Sequence, residues 1–237
     1  MNHFNPDSAL WQAATIVIPL VFAIVFHEVS HGYVAKLLGD PTASERRRLS
    51  LNPLRHVDPV GTLLVPGFLW LTTHTAFGWA KPVPVDARRL RNPRRDMMFV
   101  AAAGPGSNIV LALAGAAALG LLARVVGQGE PGIGALFLRD NLGNFIAINL
   151  FLALFNMLPI PPFDGSHIVE GLLPEGAART YASLRRLGFA LILILLFGVP
   201  MIFPRFDLIG MTVLPPFNWL FGHFLEIAQS MSGTSIA

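Results

Sequence analysis

His27, Glu28 and His31 stand together in the stretch IVFHEVSHGY, residues 24–33. The histidines are four apart, so on a helix they lie one above the other on one face. Glu28, three before His31, borders that face. Two imidazoles at this spacing bind zinc and the glutamate serves as general base, the pattern H-E-x-x-H. A pair of hydrogen-bonded core histidines beside an unrelated glutamate is the bland explanation. The surroundings weigh against it. From Leu10 to Phe26 the chain is almost entirely apolar or small, and a charged residue at the centre of a membrane helix costs about 2.5–3.5 kcal/mol on insertion scales.

Zinc in a catalytic site takes three protein ligands and keeps a position for water. The chain has no cysteine, so the third ligand is nitrogen or oxygen. In FNMLPIPPFDGSH, residues 155–167, Asp164 closes an apolar span. That span is expected to run in the same direction as the helix of His27 and His31, so Asp164 is the expected third ligand. A simple Asp-Gly turn is the other reading of Asp164 and Gly165. Zn²⁺ with ionised Asp164 and Glu28 is formally neutral, which lowers the cost of burying the site.

The elements that must position these residues are membrane helices. Hydrophobic residues make up 53% of the 237 and charged residues only 13%; mean hydropathy is +0.57. Several stretches approach the ~20 apolar residues that cross a bilayer. The first helix has no basic region before it, so it does not read as a cleaved signal peptide. The pI near 9.9 does not point to nucleic acid, because the basic residues are distributed as membrane flanks. Eleven of the 17 Lys and Arg fall between Lys36 and Arg95, and three more are Arg179, Arg185 and Arg186. By the positive-inside rule both regions are cytoplasmic. Spans are expected at about 10–38 running inward, 97–126 outward, 141–158 inward and 186–203 outward, with 207–230 either spanning or lying at the interface. The short apolar segment 60–75 has basic clusters on both sides and is expected to be a re-entrant hairpin on the cytoplasmic face. The fold class expected is mainly α: a polytopic membrane protein with about 4–5 transmembrane helices, that hairpin and a small β element at the cytoplasmic side. One domain, 1–237, is expected, with a catalytic core at about 10–170 and C-terminal helices at about 186–230.

The pieces HEVSHGYVAKLLGDPTA, LSLNPLRHVDPVGTLLVP, FGWAKPVPV, AAAGPGSN and NLFLALFNMLPIPPFDG cover most of residues 20–170. In this order they resemble the site-2 protease family of intramembrane zinc metalloproteases, above all its short microbial members without a PDZ or CBS domain. The resemblance implies that His27, His31 and Asp164 are zinc ligands, with one Zn²⁺ per chain, and that Glu28 is the catalytic base. It also implies a catalytic role near the metal for Asn156, eight residues before the aspartate, as a donor to the substrate carbonyl or oxyanion. Asn156 tying helices together is the alternative. The family often places a further helix before H-E-x-x-H; only 26 residues precede His27 here, so that helix is expected to be missing.

The expected function is zinc endopeptidase, hydrolysing a peptide bond in or near a transmembrane segment of a membrane-protein substrate. The lipid bilayer is its setting, nucleic acid is not a partner, and the sequence does not fix the oligomeric state. The N-terminus is expected outside and the active site toward the cytoplasmic side of the cell membrane. A metal-ion transporter and an inactive zinc-binding adaptor of the same fold are the alternatives. An unwound substrate can pair with a strand edge, and AKPVPV, 80–85, is the candidate: Pro82 and Pro84 spoil one edge and leave the other, with Lys81, Val83 and Val85. His56 and Asp58 read as a turn or as neighbours of the site, and His167 as a neighbour of Asp164. Asn108 reads as an interhelical hydrogen bonder. The small-residue faces 101–108 and 112–120 let helices approach closely.

Overall fold

The computed structural model describes residues 5–64, 80–127 and 129–233. Helix α1, Ala9–Leu37, starts where the Ser8 side chain accepts from the Trp11 N–H, a standard N-cap. Helix α2, Pro93–Val126, starts with proline in its first turn, where the missing N–H costs nothing. Helix α3 is Ile133–Asn156, α4 is Asp164–Leu172 and α5 is Leu214–Ser232.

Polar side chains on one face of α3 bond it to α1. Asp140 Oδ2 accepts from Trp11 Nε1 at 2.9 Å. Asn144 Nδ2, one turn on, donates to the Thr15 carbonyl at 2.9 Å. Asn149 bonds to Asn108 of α2, which donates to the Ala23 carbonyl at 3.2 Å. Residue numbers rise together along α1 and α3, so these helices are parallel. Against α2 they fall as α1 rises, so α2 is antiparallel. Interhelical hydrogen bonds of this kind fix register where lipid offers no hydrophobic drive to associate.

The other face of α2 is small. Ala112, Ala116 and Leu119 are buried with Ile146 and Leu150 of α3 and Phe224 and Ala228 of α5. A Cβ on Gly120 would stand 2.4 Å from the Ala228 carbonyl oxygen, so α2 and α5 approach backbone to backbone. The close approach expected of 112–120 is what the structure has.

Two of the helices, α1 and α2, are long and apolar enough to cross a membrane. The bent pair Glu175–Leu187 and Ala190–Ile202, 79° apart, adds a third if it counts as one span. The expected four to five spans therefore become two or three among the described residues. The difference has a physical basis in α3, which carries Arg139, Asp140, Asn141, Asn144 and Asn149 and spends several of them on its neighbours. The β element is also corrected: among the described residues there is no strand. At 80–85 the Lys81 N–H goes to the His56 carbonyl and the Val83 N–H to the Glu28 carboxylate. With Pro82 and Pro84 lacking donors, the edge is spent on partners that are not strands. Of the expected hairpin at 60–75, Pro59–Leu64 forms a single turn of π-helix; the rest lies outside the described residues.

The basic segments on either side of residues 60–75 meet. Arg89 Nη1 is 2.6 Å from Glu45 Oε2. Buried Asp40 accepts from the Asp86 N–H at 2.7 Å and from the Thr42 N–H at 3.0 Å. The end of α1 and residues 80–91 are thus fastened together at one end of the helices.

Candidate metal centre

α1 places His27 and His31 one turn apart, with ring centroids 4.6 Å apart and planes at 87°. α2 crosses them at Gly104. A Cβ there would lie 2.5 Å from His31 Nε2 and 2.6 Å from His27 Cε1, so only glycine admits both rings against the helix. The turn after α3 then delivers the first residue of α4, Asp164. Gly165 makes that turn possible, since a Cβ on it would meet the Met157 carbonyl oxygen at 2.2 Å.

Asp164 Oδ2 stands 3.1 Å from His27 Nε2 and 3.3 Å from His31 Nε2. It is buried and has no partner with hydrogen-bond geometry. One donor atom from each of the three residues lies within 4.8 Å of the others, the group a metal ion needs. Ligand bonds of about 2.0–2.1 Å at tetrahedral angles put donor atoms about 3.3 Å apart, which these separations match. Two imidazoles and a carboxylate are moreover a donor set of catalytic rather than structural metal sites.

Both imidazoles are oriented from behind. His31 Nδ1 is 2.7 Å from the Val100 carbonyl oxygen, so Nδ1 carries a proton and Nε2 is the nitrogen turned to the cluster. His27 Nδ1 is 2.6 Å from Asn108 Oδ1, with the same consequence. Outer partners of this kind hold metal-binding histidines in one tautomer.

Glu28 accepts a hydrogen bond at Oε2 from the Val83 N–H, 2.8 Å. The segment 80–85 that the sequence offered as a strand edge is therefore the tether of the expected base. Val83 also packs on α1 at Gly32, where a Cβ would be 2.6 Å from Val83 Cγ1. Asn156 Nδ2 donates to the Leu152 carbonyl of its own helix at 2.9 Å.

The remaining candidates lie outside the cluster. His56 Nε2 donates to the Ser50 carbonyl at 2.8 Å. Asp58 Oδ1 accepts from the Val60 and Gly61 N–H groups, so both belong to a turn. His167 Nδ1 accepts from Arg185 at 3.2 Å. Burial, aided by the Arg185 charge, holds His167 down to about 4, so it is neutral. Arg185 also pairs with Glu170. Sequence reasoning named Asn108 but missed its tie to His27, and missed Asn149 altogether. An asparagine inside an apolar helix gives no sign in the sequence of which neighbouring helix it will face.

The profile of Peptidase family M50 matches residues 133–196. A Bacillus subtilis protein named "Putative zinc metalloprotease YwhC" is 38% identical over 180 residues, covering 76% of this chain and 78% of that protein. The Rip2 protein of Mycolicibacterium smegmatis, named in the same terms, is 27% identical over 78% of this chain and 73% of its own. Rip2 of Mycobacterium tuberculosis is 28% identical over 85% of this chain and 82% of its own. No solved structure matches the chain. The profile match begins with α3 and takes in Asp164, and the relation to YwhC runs through three quarters of both proteins, so the chain belongs to peptidase family M50.

Proposed function

We propose that the chain is an intramembrane zinc endopeptidase that cleaves a peptide bond in or near a transmembrane segment of a membrane protein. The observation that carries this reading is the convergence of His27 Nε2, His31 Nε2 and Asp164 Oδ2 beside two helices of membrane-spanning length. Membership of a peptidase family supports hydrolysis over metal transport, and the relatives are named for zinc. His27, His31 and Asp164 are the proposed ligands and Glu28 the proposed base. The single domain spans 1–237, with its N-terminus outside and the site toward the cytoplasm, where the basic segments gather.

When bound, zinc lowers the pKa of a water toward about 7 and polarises a carbonyl. Glu28 would take a proton from water at this site and hand it to the leaving amine. The Val83 N–H holds Oε2, and among the described residues no hydrogen bond reaches Oε1, which is left to work as the base. Asn156 is the proposed donor to the developing oxyanion; its Nδ2 gives one hydrogen to the Leu152 carbonyl and has a second to donate. A helical substrate hides its peptide bonds in its own hydrogen bonds and has to unwind locally before it can be cut.

The test is a purified preparation in lipid vesicles with a membrane-embedded reporter helix. Zinc bound near one per chain, and cleavage lost in Glu28→Gln, is the result expected. Unchanged cleavage in Glu28→Gln overturns the proposal, and zinc flux across the vesicles without cleavage points to the transporter.

A further inference from the structure

The amides of Asn108 and Asn149 have no exposed surface at all, yet neither touches the converging donor atoms. Their directions are settled by what surrounds them. Asn108 Nδ2 has two acceptors, Asn149 Oδ1 at 2.8 Å and the Ala23 carbonyl oxygen at 3.2 Å. Turned over, Asn108 would set its own oxygen against both of those oxygens. Its Oδ1 must therefore be the atom that faces His27 Nδ1 at 2.6 Å. An acceptor at that distance requires the proton on Nδ1. Asn149 is directed in the same way: its Nδ2 donates to the Phe145 carbonyl at 2.8 Å, which leaves Oδ1 to point at Asn108.

We propose that Asn149 is a positioning residue that acts through Asn108 to hold the His27 imidazole in the tautomer with its lone pair on Nε2, toward Asp164. It rests on the proposed role of His27 as a metal ligand. The chain of bonds joins α3, α2 and α1, so the packing of all three helices sets the protonation pattern of one ligand. Without it, a neutral imidazole is free to carry its proton on either nitrogen, and the form protonated on Nε2 has no lone pair for a metal there. Loss of such an outer partner typically costs about 10–100-fold in metal affinity.

The experiment is zinc affinity by chelator competition on the full chain in detergent, at matched folded protein. Asn149→Leu, close in size but without an acceptor, is expected to weaken zinc about tenfold or more. Asn149→Asp, which as the neutral acid still accepts from Asn108 and donates to Phe145, is expected to restore it. Asn108→Asp supplies its own acceptor to His27, so in that background Asn149→Leu should no longer weaken zinc. A merely structural asparagine would give the same loss in both backgrounds, and that result overturns the proposal. If His27→Ala binds zinc as tightly as the parent, the ligand assignment has failed instead. Nitrogen NMR of labelled histidine in the metal-free chain gives a separate reading. The parent should show a proton on His27 Nδ1, where Asn108 Oδ1 accepts it; a parent with His27 Nδ1 unprotonated overturns the proposal without any variant having to fold.

Discussion

At the scale of single residues, ligands and base should separate in their effects. Glu28→Gln keeps size and hydrogen bonding but removes the proposed base. It is expected to retain zinc and lose about 10²–10⁴-fold in turnover, the usual worth of a positioned base. Asp164→Ala, His27→Ala and His31→Ala should each lose zinc itself, because two remaining ligands make an incomplete shell. Metal analysis beside reporter cleavage, for each variant, checks both statements. If Asp164→Ala holds zinc like the parent, the third ligand lies elsewhere. Asn156→Ala should leave zinc in place and lower turnover. Its present bond to the Leu152 carbonyl is one a helical asparagine makes readily, so sequence alone could not say which way it would point.

At the scale of elements, two glycines on α2 do different work. A Cβ at Gly104 would meet the two imidazoles, and one at Gly120 would meet the backbone of α5. Gly104→Ala should displace His27 and His31 and weaken zinc, while overpacking costs about 1–3 kcal/mol of stability. Gly120→Ala should cost stability without changing zinc content per folded molecule. Melting temperature and metal content measured on both variants test the division; equal zinc loss in the two would show that α2 moves as a rigid whole. Asp40 belongs to this scale as well. It ties the end of α1 to Asp86, and through that segment to the Val83 tether of Glu28. Asp40→Ala should therefore keep zinc yet lower turnover, with Asp40→Asn closer to the parent.

For the whole molecule, the prediction concerns sides of the membrane. Residues 40–58 and 80–95 meet through Glu45 and Arg89, and through His56 and Lys81, so both are expected to emerge on one side. Single cysteines placed at Ser44 and Arg91 should both resist an impermeant thiol reagent added from outside, in agreement with the dense arginine there. Labelling of one alone would mean that the segment between them crosses. The alternating directions of the first three helices were legible from charge and hydropathy. The number of spans was not, because α3 is apolar enough to read as a span yet carries Asp140 and Asn144, which its neighbours satisfy.

The spacing of His27, Glu28 and His31 by itself put three ionisable side chains on one helix face, because helical periodicity is local and needs no partner. The absence of cysteine, with the direction of the apolar segments, was enough to single out Asp164 from 133 residues further along. Only the tertiary structure decided what surrounds them. The 80–85 segment looked like a free strand edge, but its donors are taken by Glu28 and His56, partners 55 residues and 25 residues away in sequence. Asn149 looked like any polar residue of a membrane helix until helix packing turned it toward Asn108. Periodicity fixes which residues share a face of their own helix; which neighbour that face meets, and so where each buried hydrogen bond goes, is settled only when the helices pack.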